Sequence, residues 1–170
     1  MPFWRNGKRF SKCIFSPSFR KREKGKGTMG YSIHQLAVGQ RASFAKTITE
    51  TDIYLFAGIT GDINPAHVNE QYAAQTFFKG RIAHGMLSAS LISAVLGMQL
   101  PGSGTIYMGQ EVRFLAPVRP KDTITATVEI VELNVEKNTA VLHTTCTNQN
   151  GVVVVEGQAR VKPPLPKEEG

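Results

Sequence analysis

Two cysteines in 170 residues are too few for a disulfide framework. Cys13 and Cys146 lie far apart and form no Cys-x-x-Cys pair, which argues against both a stapled scaffold and a zinc site. Aromatic residues are also scarce, at 8%. Long apolar runs are missing as well. The longest, Met86–Leu100, is broken by Ser88, Ser90, Ser93 and Gln99 and is too short to cross a bilayer. The expectation is a soluble cytoplasmic protein without membrane contact.

Acidic residues are nearly absent from one region only. Residues 1–28 hold nine of the 20 basic side chains and one of the 13 acidic ones, which leaves 11 bases and 12 acids for the remainder. The overall charge of +7 therefore belongs to the N-terminal segment. It does not mark the rest of the chain as a nucleic-acid binder. Three origins suit this segment: a transit peptide into the mitochondrial matrix, a nucleic-acid or surface contact, or an upstream start with Met29 as the true beginning. The last fits best, because Met29 directly precedes the first patterned residues.

A hydrophobic fraction of 41% can build one core. The expected organisation is a basic extension at 1–28, one domain at 29–163 and a tail at 164–170. The run from Arg41 to Ile48 alternates as a strand does. Thr49 and Asp52 then make a capping box ahead of a helix with Ile53, Phe56 and Ala57 on one face and Gly61 at its end. Asp62 to His67 is expected to be irregular around Pro65, and Asn69 to cap a short helix. Leu87–Leu100 is apolar on nearly every side and predicts a helix buried all round. Beyond Gly104, four β-branched segments (105–116, 123–133, 140–147 and 152–161) predict a meander of strands. The sum is an α+β arrangement, an antiparallel sheet wrapped around a central helix, with an exposed edge that invites a second copy.

Chemistry concentrates in two places. Asp62 and His67 lie five residues apart on a turn stiffened by Pro65, where an acid and an imidazole can meet one small molecule. His84-Gly85 directly precedes the apolar helix, whose first amides lack intrahelical acceptors and can receive a developing oxyanion. Taken alone, each feature fits an ordinary role. Asp62 and His84 then cap turns, and Gly85 is a loop glycine. Asn64 reads equally well as a supporting residue and as a plain residue before proline. Phe77, Phe78, Met86 and Met98 read as core first and as pocket lining second. Arg113, Arg119 and Lys121 are weak candidates for phosphate contacts.

The stretch Tyr54-Leu-Phe-Ala-Gly-Ile-Thr-Gly-Asp-Ile-Asn-Pro-Ala-His67, with Ala73 and Ala74 after it, resembles the MaoC-like dehydratases and (R)-specific enoyl-CoA hydratases. So do Ala83-His-Gly-Met-Leu87, Leu100-Pro-Gly102, Ile106-Tyr107 and Phe114-Leu-Ala-Pro-Val118, so the likeness runs from about residue 33 to 162. The resemblance implies a hot-dog fold, a homodimer, an acyl-CoA substrate, and hydration of a trans-2-enoyl-CoA to the (R)-3-hydroxyacyl-CoA. By position it makes Asp62 and His67 the catalytic pair and the Gly85 amide the oxyanion donor. Beyond these three positions, Asn64 and His84 are expected to support the pair, and Met86 and Leu87 to meet the substrate. No metal or cofactor beyond coenzyme A is expected. The alternatives are a dehydratase acting on acyl carrier protein and a non-catalytic acyl-CoA-binding module. Supply of hydroxyacyl groups to polyester synthesis or β-oxidation is a family-level expectation.

Overall fold

The computed structural model describes residues 30–166. The basic segment 1–28, and residues 167–170 of the expected tail, lie outside this range. After a 3-10 turn at Ile33–Gln35, the chain forms β1 (Arg41–Thr47), α1 (Glu50–Thr60), α2 (Pro65–Val68), α3 (Glu70–Gln75) and α4 (Gly85–Met98). Four strands follow: β2 (Ile106–Phe114), β3 (Thr123–Asn134), β4 (Thr139–Thr147) and β5 (Val153–Lys162).

Local chemistry sets the helix boundaries. The Thr49 hydroxyl accepts from the Asp52 amide at 3.2 Å, and the Asp52 carboxylate accepts from the Thr49 amide at 2.8 Å, which closes the predicted capping box. Gly61 ends α1 in the left-handed region at φ 76°, where a Cβ would be strained. Two expectations shift here. The segment after Asp62 is irregular only as far as Asn64, because Pro65 at the first helical position starts α2. α4 begins at Gly85 rather than Leu87 and ends at Met98 rather than Leu100.

All five strands are antiparallel in one sheet, ordered β1-β3-β4-β5-β2. The predicted meander therefore holds for β3, β4 and β5 only. β2 crosses to the far edge and pairs with β5. Period-2 burial gives the sheet one apolar face: Ile124, Ala126, Val128 and Ile130 of β3 alternate inward, as do Ala140, Leu142, Thr144 and Cys146 of β4. That face closes on Leu91, Ile92, Val95 and Leu96 of α4. Each such side chain contributes about 1.5–3 kcal/mol of transfer free energy.

α4 is not buried all round. Met86, Ser90, Ser93 and Met98 are exposed along one stripe of the helix. Phe77 is also exposed, which overturns its assignment, with those of Met86 and Met98, to the core. Among the described residues no helix is long and apolar enough to cross a membrane.

Candidate active site

A cavity of about 700 Å³ opens where the N-terminus of α4 meets the 78–84 loop and the segment after β2. Asp62, His67, His84, Gly85 and Met86 all face it, among mostly apolar neighbours such as Phe56 and Phe114.

Asp62 follows the left-handed Gly61, and its carboxylate accepts from the Asn64 amide at 3.2 Å. The side chain remains half exposed to the cavity. Asn64 in turn caps α2, its side-chain oxygen accepting from the Ala66 amide at 3.0 Å. Asn64 thus fills the ordinary role of a residue before proline, capping the turn that carries His67. His67 lies in the last turn of α2 and is partly buried. Its Nδ1 is 2.9 Å from the Ile82 carbonyl. A carbonyl only accepts, so Nδ1 carries a proton, and in the neutral ring Nε2 then holds the lone pair.

His84 occupies the N-cap position of α4 without making a side-chain cap bond. Its Nε2 donates to the main-chain carbonyl of Asp62 at 2.9 Å, and lies 4.0 Å from the Asp62 carboxylate. One nitrogen or oxygen from each of Asp62, His67 and His84 lies within 4.8 Å of the others. That donor set has the composition of a metal site, although one nitrogen of each ring is already held by a carbonyl.

Gly85 is the first residue of α4, so its amide has no intrahelical acceptor, and the residue lines the cavity at the positive end of the helix. A Cβ here would meet the Phe114 ring at 2.7 Å, so a side chain at this position would displace that ring. Met86 stands on the cavity rim at 57% exposure. Leu87 turns the other way and packs in the core. A second apolar cavity of about 390 Å³, between α4 and β2, shares Phe56 and Met86 with the first.

Three residues behave in ways their sequence context does not announce. Arg119 is not free for a phosphate. Its guanidinium donates to the carbonyls of Phe78, Gly80 (2.9 Å) and Arg81 (3.3 Å), and so clamps the loop that leads into Ile82. Arg113 is likewise paired, with Glu156 at 2.8 Å. Cys146 lies buried in β4, where burial pushes its thiol up to about 12, so it is no nucleophile at neutral pH.

Residues 34–152 match the family model described as a MaoC like domain. The chain is 61% identical over 126 residues to the (R)-specific enoyl-CoA hydratase of Rhodospirillum rubrum, covering 74% of this chain and 87% of the relative. Among solved structures it resembles the unliganded R-hydratase PhaJ1 from Pseudomonas aeruginosa, with a TM-score of 0.76 and 44% identity over 81% of this chain and 88% of that one. It also resembles the (R)-hydratase of Aeromonas caviae involved in PHA biosynthesis, with a TM-score of 0.73 and 44% identity over 77% of this chain and 98% of that one.

Proposed function

The chain belongs to the MaoC-like domain family, and from that premise we infer that it is an (R)-specific enoyl-CoA hydratase, adding water reversibly to a trans-2-enoyl-CoA. The observation that carries the reading is the convergence of the Asp62 carboxylate and the His67 imidazole on one cavity beside the Gly85 amide.

Hydration makes three demands, and three groups meet them. Asp62 and His67 line the same cavity with ligand atoms no more than 4.8 Å apart, a separation that one water with hydrogen bonds of about 2.8 Å can bridge. As its oxygen attacks C3, the pair removes a proton from the water and delivers one to C2 from the same side. Negative charge collects on the thioester oxygen meanwhile, and the Gly85 amide stabilises it with the aligned dipoles of α4 behind it. Coenzyme A enters as part of the substrate, and these steps call for no further cofactor. The acyl chain would lie along the apolar walls past Met86 and Phe56 toward the second cavity.

A homodimer fits the exposed groups. β2 is an edge strand carrying exposed Ile106, Tyr107 and Met108, next to the uncovered stripe of α4. Sedimentation should give a mass twice that of the chain.

The relatives at 61% and 44% identity are hydratases by name, which favours coenzyme A as carrier over acyl carrier protein. Initial rates on the same enoyl group attached to each carrier test this. A higher kcat/KM with the carrier protein would overturn the preference. The link of the Aeromonas caviae enzyme to PHA biosynthesis suggests a similar supply role for this chain.

A further inference from the structure

His84 is an odd choice for the start of a helix. Ser, Thr, Asp or Asn at an N-cap would satisfy an orphan amide, whereas the His84 side chain caps nothing. Its ring is only 2% exposed, and Nδ1 has no hydrogen-bond partner. Burying an unpartnered nitrogen carries a desolvation cost, so stability of α4 does not explain the residue.

Its contacts do. Through Nε2 the ring holds the backbone carbonyl of Asp62, 22 residues earlier. One face stacks on His67, with ring centroids 3.8 Å apart and planes at 32°. Phe56 packs against it as well, with centroids 5.0 Å apart. The bond from His67 to Ile82 fixes one ring atom and leaves the ring free to tilt about that bond. A flat neighbour at stacking distance removes that freedom. His84 thus grips Asp62 and His67 together, from a segment outside their own turn.

Building on the hydratase reading, we propose that His84 is a positioning residue that sets the Asp62 backbone and the His67 ring plane relative to each other, so that both meet the same water. It need not touch the reacting atoms. Its two contacts are separable by substitution. His84→Gln keeps an N–H donor at similar reach but loses the stacked ring, whereas His84→Phe keeps a ring and loses the donor.

The test is kcat and KM with crotonyl-CoA for the full chain and both variants, with thermal unfolding of each. A misplacement of about 1 Å costs up to about 10²-fold, so His84→Phe should lower kcat about 10–100-fold with KM within about threefold. His84→Gln should fall less, about 3–10-fold, as partial rescue by the retained donor. A wild-type chain that hydrates crotonyl-CoA, with both variants within about threefold of its kcat, would overturn the proposal. So would a His84→Phe variant within about threefold of wild type beside a slower His84→Gln, since a packing role needs the ring and not the donor. If His84→Phe does not fold, His84→Gln decides alone by the same threefold limit. No hydration by the wild type of any enoyl-CoA would instead remove the hydratase reading and this inference with it.

Discussion

The ring of His67 is tied through Nδ1 to the carbonyl of Ile82, 2.9 Å away and fifteen residues further along the chain. This contact sets the tautomer of the neutral ring and leaves Nε2 free to accept a hydrogen bond. His67→Gln should stay folded, because the residue is only partly buried, and should lower turnover about 10²–10⁴-fold. Steady-state rates beside a circular-dichroism melt check both halves. Turnover within a few-fold of wild type would remove His67 from the chemistry.

Gly85→Ala would place a methyl 2.7 Å from the Phe114 ring. Phe114 is half exposed and can swing away, so stability should change by less than about 1 kcal/mol. The displaced ring then crowds the cavity, and turnover should drop at least about tenfold. Adding Phe114→Leu should recover much of that loss, a non-additivity that a double-mutant cycle measures. Additive losses would contradict the steric account.

Arg119 holds three carbonyls of the loop that ends at Ile82. Arg119→Gln should cost about 2 kcal/mol in urea unfolding, the scale of hydrogen bonds to a charged donor. Arg119→Lys should recover little, because an ammonium cannot reproduce the planar fork. A change under about 0.5 kcal/mol would show that the loop holds itself.

The α1 cap should be acid-sensitive. Burial raises the Asp52 carboxyl, but hydrogen bonds from the Thr49 backbone and hydroxyl, together with Lys46, outweigh it and hold the group below its ordinary value. A depressed folded-state value means that this contribution is present above about pH 4 and is lost as pH falls through the folded-state value. Asp52→Asn should therefore cost about 1 kcal/mol at neutral pH, and the gap to wild type should close in acid. A gap that stays constant from about pH 7 to about pH 2.5 would contradict this.

Much of the frame was legible because its signals are local. The Thr49–Asp52 box, the left-handed Gly61 and the alternation of β3 and β4 each act over a few residues. Strand partners were not legible, since a period of two predicts a strand without saying which neighbour it meets; hence β2 at the far edge. The stripe of Met86, Ser90 and Ser93 on α4 was hidden by small residues that suit a buried helix equally well. Asp62, His67, His84 and Gly85 were singled out by motif and share one cavity, whereas Leu87 beside them turned to the core. The loop clamp of Arg119, read from the sequence only as a weak phosphate contact, gave no signal, because main-chain carbonyls as partners leave no mark on the residue pattern.

The most direct measurement is loss of enoyl-thioester absorbance with crotonyl-CoA, with the product passed to a dehydrogenase specific for one 3-hydroxyacyl stereoisomer and Asp62→Asn run alongside. The account predicts rapid loss, (R) product, and a folded Asp62→Asn chain slower by about 10²–10⁴. No loss with crotonyl-, hexenoyl- or octenoyl-CoA, an (S) product, or an Asp62→Asn chain within a few-fold of wild type would contradict it.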